Sequence, residues 1–213
     1  MPRPALTDTQ IEEFRRRACK VALDLYRKDG AEGVSLRSLG NKLGVSRMAA
    51  YRYFASRDEL IKEMRASLIN EFVDRVAADV VKVDGAAERL AAAISSMISY
   101  AKENPEDYRF AFVDHADVEK ADPVFDAKQR LLKFNVDICQ DAIDAGVLGG
   151  DAVTRAHIMS FVVYGVGSLY GYPMVYGRTL DDLVEPIVEL LFPVPGAKLR
   201  KSAAKKSRPR RRR

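Results

Sequence analysis

Hydrophobic positions recur every three or four residues along most of the chain, which is the spacing that places them on one face of an α-helix. The first such run consists of Ile11, Phe14, Ala18, Val21 and Leu25. No segment shows a convincing alternation of hydrophobic and polar residues, the pattern that indicates a half-buried strand. The pattern therefore predicts an all-α protein.

Capping residues mark where the first and fourth predicted helices begin. Thr7 with Gln10, and Ser56 with Glu59, have the spacing of capping boxes, in which side chains satisfy the first free amides of a helix. The glycines of the segment KDGAEG, residues 28–33, predict the end of the first helix. The fourth helix should be long, because its hydrophobic stripe continues to Val76.

Two short helices are predicted between these long ones. The second helix of the chain begins after Ser35 and ends at Gly44, and the third is capped by Ser46 and reaches about Tyr53. Two short helices joined by a tight glycine turn, behind a supporting first helix, are typical of a helix-turn-helix. The second helix of such a pair lies in the major groove of DNA.

Five further helices are predicted in the rest of the chain. Asn104-Pro105 and Asp122-Pro123 each place a capping residue before a proline at the first helical position. Pro186 falls inside the last helix, where we expect it to cause a kink. The predicted ranges are about 86–103, 105–115, 123–145, 152–172 and 180–192.

The charge of this chain is distributed unevenly. Residues 1–65 contain 14 basic and 9 acidic side chains, whereas residues 66–197 contain 11 basic and 21 acidic ones. The last segment, residues 198–213, contains 10 basic and no acidic side chains. This distribution indicates a front that binds a polyanion, an acidic body that does not, and a basic tail.

Three features bear on the compartment. The first 14 residues contain no apolar stretch typical of a secretory signal, so we expect a cytoplasmic protein. Residues 156–177 carry no Asp, Glu, Lys or Arg, but their glycines, tyrosines and proline favour a helix between protein surfaces over a membrane span. Cys19 and Cys139 are far apart, and we interpret them as buried thiols.

The segment SLRSLGNKLGVSRMAAYRYFASRDEL, residues 35–60, resembles the helix-turn-helix of the tetracycline-repressor (TetR) family of bacterial regulators. Arg57 and Asp58 replace the family's usual lysine and glutamate with residues of the same charge. Met48, Ala49 and Ala50 replace its usual Gly-Thr-Leu, which affects the DNA sequence that is read. The positions that agree with the family pattern are Val45, Ser46, Tyr51, Tyr53, Phe54, Ser56 and Leu60.

The resemblance implies which side chains contact DNA. Tyr53 has the alternative of packing in the protein, Arg52 that of a solvated charge, and one of the adjacent residues Arg15, Arg16 and Arg17 is expected to contact a phosphate. The expected phosphate contacts are Ser46, Tyr51, Tyr53 and Arg57. The expected base contacts are Arg47 and Arg52 at guanine edges and Met48 and Ala49 at thymine methyl groups, with Arg37 at a base or a phosphate.

Two later segments resemble the C-terminal module of a subgroup of this family. They are ISYAKENPEDYRFAFVDH (98–115) and VVYGVGSLY (162–170), although the tryptophan often found in that module is absent. In this family the last two helices form a four-helix bundle between subunits, and the alternative is that they belong to the core of one chain. The expected dimer interface comprises Phe161, Gly165, Leu169, Leu183, Ile187, Leu190 and Leu191.

A small-molecule pocket is expected in the body of the protein, among residues on inward-facing stripes. The alternative is ordinary core, which is what most such side chains form, and the two histidines, His115 and His157, have no clustered carboxylates that would favour a metal site. The expected pocket residues are Met97, Tyr100, Phe110, Val113, His115, Phe134, Ile138, Met159 and Tyr164.

Together these patterns predict a helix-turn-helix domain in residues 1–58, a helical regulatory and dimerisation domain in residues 59–195, and a disordered basic tail in residues 196–213. The predicted function is that of a dimeric transcriptional regulator, usually a repressor, released from or fixed on a two-fold DNA operator by a small apolar ligand. The alternative is a nonspecific architectural DNA-binding protein. The tail either holds DNA nonspecifically or is simply solvated. No nucleophile–base pair, phosphate-binding glycine loop or metal cluster indicates an enzyme or a cofactor.

Overall fold

A computed structural model describes residues 7–113, 122–170, 179 and 181–192, and all regular elements in these residues are helical. This confirms the predicted all-α class. A π-helical segment, Arg109–Val113, follows α6 directly. The α-helices are α1 (Asp8–Gly33), α2 (Leu36–Leu43), α3 (Arg47–Ala50), α4 (Arg57–Val80), α5 (Ala86–Glu103), α6 (Pro105–Tyr108), α7 (Pro123–Asp144), α8 (Ala152–Leu169) and α9 (Asp181–Leu191).

The helix starts follow the capping residues of the sequence. The Thr7–Gln10 capping box before α1 is complete, and Ser35 forms a second complete box with Ser38 before α2. Asp122 caps α7 through the amide of Val124, at 2.9 Å. Local side-chain chemistry is therefore sufficient to begin these helices.

Several helix ends differ from the prediction. Helix α1 continues to Gly33 with a break at Gly30, so the KDGAEG segment interrupts the helix before ending it. Helix α3 ends at Ala50 and is followed by turns instead of reaching Tyr53. The helix expected after Asn104 is α-helical only to Tyr108, where the π-helical segment begins.

The buried side chains form two cores. The head core lies between α1, α2, α3 and the first half of α4, and includes Phe110, Ala111, Val124 and Ala127. The body core lies between the second half of α4 and helices α5, α7 and α8. Because α4 runs unbroken through both cores, the predicted domain division at residue 58 stays a prediction.

The two cores meet around the π-helical segment. Phe112 and Leu131 pack against both cores, whereas Tyr108 belongs to the body core and Phe110 to the head core. The π-helical segment therefore supplies side chains to both parts of the molecule. π-Helical turns frequently occur at functional positions in proteins.

Each core contains one of the two cysteines of the chain. Cys19 is buried in the head core and Cys139 in the body core, and both are free thiols, as expected. Burial raises the pKa of Cys19 to about 12 and that of Cys139 to about 11.

Candidate nucleic-acid interface

The turn between α2 and α3 is built on Gly44. This residue has φ 68° and ψ 28°, a left-handed conformation that glycine adopts without the strain imposed by a Cβ. The amide of Val45 then donates to the carbonyl of Gly40 at 2.9 Å, which closes the end of α2. The Ser46 hydroxyl accepts a hydrogen bond from the amide of Ala49 at 3.1 Å and so caps α3.

Helix α3 is buried on one side and exposed on the other. Ala50 and Phe54 have no exposed surface and hold the helix in the head core. Met48 is 74% exposed and Tyr51 is 40% exposed, and Arg52 also faces solvent. Apolar and cationic side chains therefore lie together on the exposed side of α3 and of the turn that follows it.

The other predicted DNA contacts fall into different surroundings. Arg37 on α2 and Ser46 are exposed, whereas Ala49 is only half-exposed. The backbone of Arg47 forms the first turn of α3, but its side chain lies outside the described part of the structure. Their role in binding DNA stays a prediction.

Two of the expected phosphate contacts are engaged within the protein. Tyr53 is half-buried, and its ring stacks on Phe14 with the ring centres 3.7 Å apart. This agrees with the alternative that Tyr53 is a packing residue. The guanidinium of Arg57 donates to the carbonyls of Val34, at 2.7 Å, and Ala31, at 2.6 Å, at the C-terminal end of α1.

Helix α8 exposes a second large apolar surface, which we call the α8 face: Phe161, Tyr164, Gly165 and Leu169. Phe161 is 69% exposed, Leu169 47% and Tyr164 46%. Tyr164, predicted as a pocket residue, therefore lies on this face with the predicted interface residues. Between Ala152 and Leu169, Arg155 is the only charged residue, so helix α8 itself contributes no charge to this face beyond Arg155.

Helix α9 exposes one of its four predicted interface residues, whereas α8 exposes two of three. Leu190 is 80% exposed, whereas Leu183, Ile187 and Leu191 are half-buried. Leu191 packs against the body core. Pro186 lies within the helix, as the sequence requires.

The expected pocket residues are distributed over both cores. Four of them, Met97, Tyr100, Ile138 and Met159, are buried in the body core, and Val113 and Phe134 pack at its edge. Phe110 belongs to the head core instead, and His115 lies outside the described residues. The structure thus brings together six of the nine.

A polar pair inside the body was not expected from the sequence. Asn135 on α7 is only 1% exposed, and its Nδ2 donates to the Ser160 hydroxyl of α8 at 3.2 Å. Among the described residues, its Oδ1 has no hydrogen-bond donor. An asparagine within a helical pattern usually faces solvent, so the sequence contains no signal for this position.

Comparison with known families assigns both parts of the chain. Residues 19–64 match the family described as "Bacterial regulatory proteins, tetR family", and residues 90–194 match the "Tetracyclin repressor-like, C-terminal domain". The chain belongs to the TetR family. This confirms the resemblance inferred from residues 35–60 and the two-part helical architecture.

Individual relatives of this TetR-family chain are more distant. The HTH-type transcriptional regulator Mb1846 of Mycobacterium bovis is 30% identical over 124 residues, or 57% of this chain and 52% of that protein. The chain thus spans about half the length of the curated relatives that it matches.

Solved structures confirm the fold over most of the chain. A protein of unknown function from Rhodococcus sp. RHA1 has a TM-score of 0.72 and 24% identity, covering 91% of this chain and 97% of that one. The structure of AibR in complex with isovaleryl coenzyme A and operator DNA has a TM-score of 0.60 and 19% identity, covering 84% and 99%.

The TetR-family chain also has an open cleft of about 590 Å³ where α1, α4 and α7 meet. Its walls include Arg15 and Cys19 of α1, Glu63 of α4, and Asp126 and Arg130 of α7. None of the nine expected pocket residues lines it. The cleft is lined by charged side chains, and its buried hydrophobic wall residues, Cys19, Ala66 and Ala127, belong to the head core.

Two other kinds of site are absent from the described residues. Among them, no cluster of three His, Cys, Asp or Glu side chains is arranged to hold a metal ion. No helix in the described ranges combines the length and hydropathy needed to cross a bilayer.

Proposed function

We propose that this chain is a sequence-specific DNA-binding transcriptional regulator that acts as a homodimer in the cytoplasm, without catalytic activity, and responds to a small apolar ligand. The observation that carries the proposal is helix α3, whose Met48, Tyr51 and Arg52 side chains face solvent while Ala50 and Phe54 are fully buried. A short helix held this firmly can insert its exposed row into a major groove.

The exposed residues divide into those expected to contact phosphates and those expected to contact bases. A tyrosine hydroxyl at Tyr51 and the Ser46 hydroxyl suit phosphate oxygens, which position the protein without reading sequence. Arg47 and Arg52 suit the O6 and N7 acceptors of guanine, and Met48 suits a thymine methyl group. Arg57 and Tyr53 contribute less directly, because their side chains are already bonded or stacked within the head.

Self-association follows from the α8 face. Isolated apolar side chains on a surface are ordinary, but several exposed ones on a helical stretch that carries no charged residue favour a protein partner. A second copy related by a two-fold axis would cover this face and place two α3 helices on one side of DNA. Such dimers bind half-sites about 34–36 Å apart.

Contacts of the π-helical segment and α7 with the head core support a response to ligand. Phe110 and Ala111 of the π-helical segment, and Val124 and Ala127 of α7, are part of the head core. A ligand that rearranges these elements would therefore shift the head, and AibR shows that a protein of this fold can bind operator DNA and an acyl coenzyme A. A hundredfold change in occupancy requires about 2.7 kcal/mol of differential affinity.

Selection of bound duplexes from a random pool tests the proposal. We expect one enriched two-fold sequence, protected as a bounded footprint. Tyr51→Phe should weaken all duplexes alike, whereas Arg47→Ala should change which sequence is enriched. Uniform protection without enrichment would favour the architectural alternative, and a protein that stays monomeric and binds no duplex at low salt would contradict both readings.

A further inference from the structure

We infer that Arg15 orients the reading helix α3 from inside the head and so determines sequence selectivity, instead of contacting a phosphate. Arg15 lies on α1, with 26% of its side chain exposed. Its Nη1 donates to the carbonyl of Tyr53 at 2.5 Å, and its Nη2 donates to Glu59 Oε1 at 2.7 Å and to Glu63. The inference rests on the proposed function.

Glu59 completes the connection. While Oε1 accepts from Arg15, Oε2 accepts from the backbone amide of Ala55 at 2.6 Å. The sequence predicted that Glu59 would complete a capping box with Ser56. The Ser56 hydroxyl does accept from the amide of Glu59, but the Glu59 carboxylate accepts from the amide of Ala55 and not from that of Ser56. Arg15 and Glu59 therefore hold a carbonyl and an amide on either side of Phe54, in the turn region that begins after Ala50, the last residue of α3.

The fully buried Phe54 lies at the centre of this arrangement. The guanidinium carbon of Arg15 is 4.9 Å from the centre of the Phe54 ring, which adds a cation–π contact. Packing and hydrogen bonding thus fix the same three-residue segment, 53–55. We call these contacts among Arg15, Glu59, Glu63 and the segment the α3 clamp.

Helix α3 needs an external support of this kind. It has four residues, about one turn, and a single turn is not stable by itself. The Gly44 turn and the Ser46 cap fix where α3 begins, and the α3 clamp fixes the chain where it leaves. Sequence selectivity depends on the angle of this helix in the groove. Freeing one end of α3 should therefore weaken the base contacts more than the electrostatic attraction to phosphates.

Neighbouring arginines provide the matched control. Arg16 and Arg17 are adjacent to Arg15 and exposed, and among the described contacts neither forms a hydrogen bond or ion pair with a side chain of the head. Removing Arg16 therefore removes the same charge without affecting the α3 clamp. A phosphate contact and a positioning residue differ in one measurable property, because only the first releases counterions from DNA.

The experiment measures affinity for the selected operator and for an unrelated duplex, as a function of salt, for the wild type, Arg15→Ala and Arg16→Ala. We expect Arg15→Ala to reduce the operator-to-nonspecific affinity ratio by about tenfold or more, the cost of a mismatched base pair. The slope of log affinity against log salt should stay unchanged. Arg16→Ala should leave the ratio unchanged.

Glu59 gives a second test with the opposite charge change. Glu59→Gln makes the head more cationic, so simple attraction predicts tighter binding to every duplex. A damaged α3 clamp predicts weaker binding to the operator and a lower selectivity ratio. Glu13→Gln, at an exposed position on α1, is the control with the same charge change. Glu59→Gln keeps the Ser56 cap and a side chain of the same shape, so it remains informative if Arg15→Ala does not fold.

The outcomes separate the inference from the proposed function. Equal loss for both duplexes in Arg15→Ala, with a salt slope reduced by about one, would make Arg15 a phosphate contact and overturn the inference. Unchanged selectivity in both Arg15→Ala and Glu59→Gln would also overturn it. A wild-type protein that prefers no sequence would instead contradict the proposed function.

Discussion

Helix α3 and the α8 face both expose large hydrophobic side chains, yet their surroundings differ. On α3, Met48 and Tyr51 lie among exposed cations, including Arg52. On α8, Phe161 and Leu169 lie in a stretch without charged residues from position 156 to position 177. Exposure alone therefore does not identify a partner, whereas exposure with its local charge separates a polyanion from a second apolar protein surface.

The largest effect is expected at the α8 face. Phe161→Glu should weaken self-association by about a hundredfold, because a central aromatic contact is replaced by a carboxylate that loses its hydration. Sedimentation equilibrium measures the change. Val81→Glu is the control, since Val81 is 80% exposed at the end of α4. Equal dimerisation of the wild type and Phe161→Glu would show that the α8 face is not the interface.

Two glycines of α8 distinguish its inner from its outer side. A Cβ on Gly167 would lie 2.3 Å from a ring carbon of Tyr108, so Gly167→Ala should lower the free energy of unfolding by about 1–3 kcal/mol. A Cβ on Gly165 meets no atom within 4 Å, so Gly165→Ala should leave the fold intact. Urea unfolding measures the stability of both variants. If Gly165→Ala alone weakens dimerisation, Gly165 lies where two copies approach closely.

The ion pair between the head and the π-helical region is expected to have an intermediate effect. Arg27 donates from Nη2 to Asp107 at 2.7 Å, and the Asp107 side chain is only 10% exposed. Arg27→Ala leaves that carboxylate unpaired, which should cost about 1–3 kcal/mol of unfolding free energy. Lys133→Ala breaks an equally short but exposed pair with Asp137 and should cost under about 0.5 kcal/mol. Similar losses would indicate that burial of Asp107 contributes little.

The Gly44 turn should respond to backbone strain alone. A Cβ at Gly44 meets no atom within 4 Å, but its positive φ is unfavourable for alanine. Gly44→Ala should therefore cost about 1–2 kcal/mol of unfolding free energy. Gly44→Asn should cost less, because asparagine tolerates this conformation better, and an equal cost for both variants would point to a packing effect instead.

The smallest effect is expected at Asp79 on α4, which belongs to neither surface. Hydrogen bonds from Lys82 and then from Ser96 lower the pKa of its carboxyl group. The stabilisation is therefore present at neutral pH and is lost as pH falls through the lowered pKa. In Ser96→Ala, NMR titration should show the pKa of Asp79 moving back up toward its ordinary value, whereas Ser95→Ala should leave it unchanged.

The sequence was sufficient where structure depends on local chemistry. The range predicted for α5, 86–103, agrees with Ala86–Glu103, and the Gly44 turn and the caps at Thr7 and Asp122 were all predicted from adjacent residues. Long side chains were not predictable in the same way. Arg57 bonds carbonyls more than 20 positions away, so its pattern suggested a DNA contact and not its partners at the end of α1.

The direction of side chains on α8 was also beyond the sequence. Nearly all positions from Ala156 to Leu169 are apolar or small, so periodicity does not distinguish the core side from the outer side. Tyr164 was consequently predicted in the pocket, although it is 46% exposed beside Phe161. The pairing of Asn135 with Ser160 depends on the contact of α7 with α8, which only the folded chain defines.

The chain carries one thiol in each core, so the reactivity of each thiol reports the opening of the core that contains it. Cys19 and Cys139 are the only cysteines, and burial, to 3% exposure for Cys19 in the cleft wall and 0% for Cys139, keeps both protonated and slows their alkylation. Labelling of either sulfur should therefore speed up when its part of the molecule opens. Peptide mass spectrometry after timed exposure to iodoacetamide would thus time the loosening of head and body separately, in unmodified protein, with DNA or an effector added in turn.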